Sequence, residues 1–309
     1  MRALPVRRAA LRPPVALVAL AAGLALGLLV WPAPSFRDSA KAPAPPSAGY
    51  TPSHPLIFYD ARAFAAAAAA TAASPVRLMP DARGLIVPHH WVGGRFITTP
   101  LRDLAASRHV NRVILLGPNH VNAGSATVLT SDRPWETPFG PAGADRTAVG
   151  TLTATGLVRS EPEVLTYEHS VAGIVPALRR YLPEAEVVPL VLRGGLAPTE
   201  IERLAAALAP LVDEGTVVVA AVDFSHGLPA ADAGRRDGET LAALRASDWT
   251  RVVGWGNEHL DSPAAVALLM ETMGRLGAGR FELTDNSNSG EVSGDFASPV
   301  TSYIVGYFH

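Results

Sequence analysis

Three short apolar runs of this sequence end on imidazoles. Leu85-Ile86-Val87-Pro88 leads into His89 and His90, Val113 to Asn119 leads into His120, and Val217 to Val222 leads into Asp223, Phe224, Ser225 and His226. Two further histidines follow a glutamate: Glu168-His169 heads a helical stretch and Glu258-His259 lies just before one. A lone histidine is commonly a hydrogen-bonded surface or core residue. Separate strand ends that each deliver one form a pattern that core packing does not require, because ligands of open α/β sheets bind beyond the carboxyl ends of the strands. Imidazole suits zinc, copper, iron and nickel, and a His-rich centre with an open position polarises a substrate, activates water or binds oxygen. The pattern predicts one metal or acid/base pocket, built above all on His89 and His120. His54 and His309, near the ends of the folded body, and His109, in a helix-to-strand turn, are expected to be solvated.

What is missing narrows the chemistry further. There is no cysteine, which excludes a thiolate nucleophile, a disulfide, an iron–sulfur cluster and a cysteine zinc site. Lys41 is the sole lysine and falls in a proline-rich stretch, so the body has none for a Schiff base or a phosphate loop. Formal charge is -2, but Arg2, Arg7, Arg8 and Arg12 sit in a head with no acid before Asp38, so the remainder is more acidic than the total suggests. Nucleic acid is not an expected partner, since a phosphate backbone needs clustered Lys and Arg.

The elements that position these residues alternate. Strands are expected at Leu85–Val87, Arg112–Leu116, Ala126–Leu129, Val187–Leu192, Thr216–Val222 and Tyr303–Phe308, and helices at Ser170–Tyr181, Pro198–Val212, Asp232–Ala246 and Pro263–Leu276. Pro198 and Pro263 suit first-turn positions, where a missing N–H costs nothing. The pattern is that of an α/β protein of three layers, a central mostly parallel or mixed sheet with helices on both faces. Loops 91–96 and 131–140 are expected to shape the pocket, with Trp135 and Phe139 either walling it or joining the core. Ahead of the body, the arginines precede the apolar stretch Val15–Trp31, which reads as a signal anchor or signal peptide within 1–35 that sends the rest outside the cytoplasm, anchored or cleaved. Residues 36–55 read as a Pro/Ala-rich linker, and 56–309 as one domain opened by the alanine-rich helix former around 65–73.

In order and spacing, Pro88-His89 before Gly93-Gly94, Leu115-Leu-Gly-Pro-Asn-His120, Trp135-Glu-Thr-Pro-Phe-Gly140, Glu168-His169-Ser170, Val222-Asp-Phe-Ser-His226 and Ser289-Gly-Glu-Val-Ser-Gly-Asp295 resemble the Memo family, whose bacterial and archaeal members are called AmmeMemoRadiSam system protein B. The resemblance covers about 80–309. It implies a fold similar to class III extradiol ring-cleavage dioxygenases, which use non-haem iron. It further implies metal ligands at His89, His120 and, four residues before Pro263 where the family has Cys, His259; Asp261 is an alternative oxygen ligand. Asp223 and His226 resemble the polar pair lining the family's pocket, with His226 or His169 as proton shuttle. The alternative is that Asp223 or Glu168 fixes a tautomer without touching substrate. The reading favoured is a dioxygenase-like, metal-dependent oxidoreductase holding iron, copper or zinc. Beside it stand a non-catalytic binding module for a peptide or small anion and a zinc metallohydrolase. The ligand is expected to be a small molecule or a peptide, and the membrane to be met only through the N-terminal segment.

Overall fold

A computed structural model of the protein describes residues 52–297 and 299–309. The expected anchor and most of the expected linker lie outside these residues. Among the described residues, no helix is long and apolar enough to cross a membrane.

Among the described residues, nine strands form one mixed sheet: β1 Gly84–Val87, β2 Arg112–Pro118, β3 Val128–Thr130, β4 Arg159–Ser160, β5 Glu186–Leu192, β6 Thr216–Ala221, β7 Phe224–Leu228, β8 Phe281–Asn288 and β9 Val300–Phe308. The centre is parallel, in the order β5-β2-β6-β1. On one flank β3 runs antiparallel to β5 and carries β4. On the other, β9 runs antiparallel to β1 and also pairs with β7 and β8.

The central strands are apolar without interruption because both faces are covered. Leu85, Val87, Val113, Leu115, Val217 and Val219 meet Ile97, Leu101 and Leu104 of the helix Arg95–Ser107 and Val175 and Leu178 of Val175–Tyr181. The intervening Ile86, Ile114, Leu116, Val218 and Ala220 meet Ile201, Leu204 and Leu208 of Pro198–Leu208 and Val266, Leu269 and Met273 of Pro263–Arg275. This alternation with period two places helices on both sides, giving the expected three layers. Full burial of one such side chain contributes about 1.5–3 kcal/mol. Pro198 and Pro263 do open their helices.

Several features differ from the sequence-based expectation. β8, Phe-Glu-Leu-Thr-Asp-Asn-Ser-Asn, is half exposed and lacks an apolar run, so nothing in its composition announces a strand. The stretch expected as a loop at 91–96 is a 3-10 turn, Trp91–Gly93, running into the helix Arg95–Ser107, whose internal Pro100 disguises it. His54 is fully buried: its ring stacks on Trp135 at 4.1 Å, and its nitrogens lie 2.7 Å from the hydroxyls of Thr166 and Ser131. Burial, reinforced by the Arg133 charge, lowers its pKa to about 4. The body therefore takes in residues read as the end of the linker.

Candidate metal centre

β1 stops at Val87, and Pro88 carries the chain over the sheet edge into His89 and His90. One carboxylate oxygen of Asp223, just past β6, accepts the backbone N–H groups of both, at 3.0 and 3.3 Å. The His89 ring is buried, with Nδ1 3.1 Å from the carbonyl oxygen of Ala221. A carbonyl only accepts, so Nδ1 carries a proton and Nε2 is the nitrogen turned toward the cluster.

His120 is brought in from β2 and oriented by Glu168. The carboxylate of Glu168 accepts from the His120 backbone N–H at 2.8 Å, from the Ser170 N–H at 3.0 Å, and lies 2.8 Å from His120 Nδ1. That last contact gives Nδ1 the proton and turns the Nε2 lone pair inward. The short helix His169–Ala172 sits against β2 because Ser170 Oγ donates to the Pro118 carbonyl at 3.0 Å, over a glycine: a Cβ on Gly117 would stand 2.6 Å from that hydroxyl. The close approach stacks His169 on His120 with ring centroids 4.2 Å apart.

Both Nε2 atoms face one oxygen. Asp261 Oδ2 is 3.2 Å from His89 Nε2 and 3.7 Å from His120 Nε2. Its backbone N–H is tied to the Asp223 carbonyl at 3.0 Å, and its buried carboxylate oxygens have no hydrogen-bond partner of acceptable geometry among the described residues. A buried carboxylate facing two lone pairs is unfavourable unless a cation lies between them. Two sets of ligand atoms lie within 4.8 Å of one another, His89 with His120 and His169, and His89 with Asp223 and Asp261. A nitrogen and carboxylate donor set of this kind fits a divalent metal. Without one, a proton takes its place. Burial lowers the His120 pKa, but the carboxylates of Asp261 and Glu168 outweigh it and raise it to about 10. Glu168 is the converse: burial raises it, yet the His120 ring and the Ser170 and His120 N–H groups bring it down to about 2. His169 is held below its ordinary value by burial and by the neighbouring His120 and His89.

The cluster forms the floor of a cavity of about 640 Å³. Phe58, Tyr59, Asp60, Trp91 and His226 line it with His90, the Nδ1 of which lies 3.0 Å from the Tyr303 hydroxyl. Burial raises the Tyr303 pKa. His226 is turned by irregular pairing of β7 with β9 beside Gly227, and its Nδ1 is buried without a hydrogen-bond partner. Thus the structure brings together His89, His120, His169, Asp223 and His226. It does not bring in His259, whose ring stacks on Trp255 at 4.2 Å and whose Nε2 lies 2.9 Å from Glu239. With both ring nitrogens facing carboxylates of Glu239 and Glu258, His259 is engaged outside the cluster, and Asp261, two residues on, stands where it was expected. Trp135 and Phe139 pack in the core on His54 and Phe64 and do not line the cavity. Phe58 and Tyr59 had no signal beyond their place ahead of the alanine-rich helix.

A family model described as Memo-like protein matches residues 58–307. The chain is 28% identical to a MEMO1 family protein of Methanopyrus kandleri over 72% of this chain and 81% of that one. It is 32% identical to one of Aeropyrum pernix over 66% and 73%, and 31% identical to one of Methanosarcina barkeri over 63% and 73%. A solved structure of an uncharacterized Escherichia coli protein is similar at TM-score 0.49 and 14% identity, over 72% of this chain and 99% of that chain.

Proposed function

This chain belongs to the Memo-like protein family, and we propose that it is a metal-dependent oxidoreductase whose ion is held by His89, His120 and Asp261. The observation that carries this reading is the convergence of His89 Nε2 and His120 Nε2 on one buried oxygen of Asp261. Two imidazoles and one carboxylate with open positions is the donor set of non-haem iron sites. Bound there, a redox metal supplies Lewis acidity and one-electron chemistry. The chain's own residues do the rest. Glu168 and the Ala221 carbonyl fix the tautomers, and Asp223 holds the backbone of His89 and His90. His169 and His226, on the cavity wall, are the groups placed to move a proton to or from a ligand.

The test is metal content and activity of the full chain. One equivalent of iron, copper or zinc is expected, lost in Asp261→Ala and His120→Ala, together with dioxygen consumption that depends on iron or copper. Substoichiometric binding of all three metals would sink the reading. Activity restored by zinc alone would favour the hydrolase instead, which the His89, His120 and His169 grouping supports. We further propose that the domain works outside the cytoplasm, on the strength of the arginines and apolar stretch of 1–35. Finding the folded domain in the cytoplasmic fraction would overturn that.

A further inference from the structure

We propose that the cavity takes a flat aromatic amine, with Asp60 as the residue that selects its positive charge. The inference rests on the reading of this cavity as the ligand site, and it deepens that reading by naming a ligand class.

One wall is aromatic and fixed. The Trp91 ring is pinned by its Nε1–H, which donates to the Gly173 carbonyl at 3.1 Å, and is backed by Phe64 at 5.5 Å between centroids; Phe64 in turn backs Tyr59 at 5.6 Å. Phe58 stands 5.9 Å from the His169 ring. A pre-set aromatic surface suits a planar ring, and its π faces favour a cation over an anion. The charges point the same way. Asp60 and Asp223 line the cavity, Glu168 and Asp261 lie against His120 and His89, and among the described residues lining it there is no Arg or Lys. A divalent ion at the floor offsets two of these four carboxylates and leaves the field negative. A carboxylate or phosphate ligand finds no Arg or Lys among the lining residues, and the His120 ring at the floor already faces the carboxylates of Glu168 and Asp261, which weighs against a small anion as the natural ligand. Asp60 is the exposed member of the set, at the rim, where its carboxylate accepts the N–H groups of Arg62 and Ala63 at 2.8 and 3.1 Å as the cap of the helix Ala61–Ala73. These bonds fix where its negative charge sits relative to Tyr59 and Phe58.

The test compares three probes that share an indole and carry a short side chain ending in a cation, a neutral hydroxyl or an anion: tryptamine, indole-3-ethanol and indole-3-acetate. Binding to the metal-free full chain is followed by ligand-observed NMR near pH 7, so that no ion at the floor can coordinate the acid. Tryptamine is expected to bind tightest, ahead of indole-3-acetate by roughly tenfold or more. Asp60→Asn keeps a capping oxygen for the helix, and should weaken tryptamine by about threefold while leaving the alcohol unchanged. Indole-3-acetate binding as well as tryptamine, no binding of any probe at about 10 mM, or an unchanged tryptamine preference in Asp60→Asn would each overturn the proposal. Metal stoichiometry, measured on the same chain before its metal is removed, decides the oxidoreductase reading separately.

Discussion

Protons and metal compete for Nε2 of His120, and the structure sets how steeply. With the pKa of that ring raised to about 10 by Asp261 and Glu168 against its burial, about one metal-free molecule in a thousand has the nitrogen free at pH 7. Metal must displace one proton to bind, so its apparent affinity should rise about tenfold for each unit of pH between 6.5 and 8.5. Calorimetry of Zn²⁺ binding in buffers of different ionisation enthalpy counts that proton directly; one released per metal at pH 7.5 is expected. Glu168→Gln removes one of the two carboxylates, so the ring titrates nearer its ordinary value, and the dependence should flatten above neutrality. Overall affinity should fall about 10- to 100-fold as the tautomer is freed. A wild-type affinity that does not change with pH, with no proton released, would refute the reasoning. The same raised pKa makes the contribution of His120 to metal-free stability largest below pH 6.5 and progressively lost as pH climbs toward 10.

Three further outcomes follow from the geometry. His54, neutral and buried with a pKa of about 4, should cost the fold about 3 kcal/mol as pH falls from 6.5 to 4, because the unfolded chain takes up the proton first; urea unfolding at several pH values should show this dependence, and His54→Gln should lose it. His259→Ala should keep one equivalent of metal, measurable by metal analysis, while losing about 1–2 kcal/mol from the Trp255 stack and the Glu239 contact. Gly117→Ala should place a methyl against the Ser170 hydroxyl, lowering thermal stability by about 1–3 kcal/mol and weakening metal binding as Glu168 shifts.

The parallel centre of the sheet was readable because buried strands are written as unbroken apolar runs, and Val113–Leu116 and Val217–Val222 are plain examples. The strand-end histidines were visible for the same reason: a polar residue directly after such a run has nowhere to go but the carboxyl edge. His259 was misplaced because counting back from Pro263 fixes a position along the chain and not the direction of a ring. Whether residue 259 or 261 turns inward depends on Trp255 and Glu239, which come from elsewhere in the fold. Nor could the sequence announce that His54 would be roofed by Trp135, since that contact joins segments 81 residues apart by nothing more local than shape.

β9 has one more consequence. It pairs with β1, β7 and β8, so until Val300–Phe308 has been synthesised, β1 has an open edge and β7, which bears His226, lies against the backbone of 257–260 but lacks its sheet neighbour. The domain cannot close around its centre vectorially, as translation proceeds; it must wait for its last strand. Were the chain exported, as proposed above, such a delay would keep the polypeptide threadable until passage is nearly done and would defer assembly of the ligand set to the far side of the membrane.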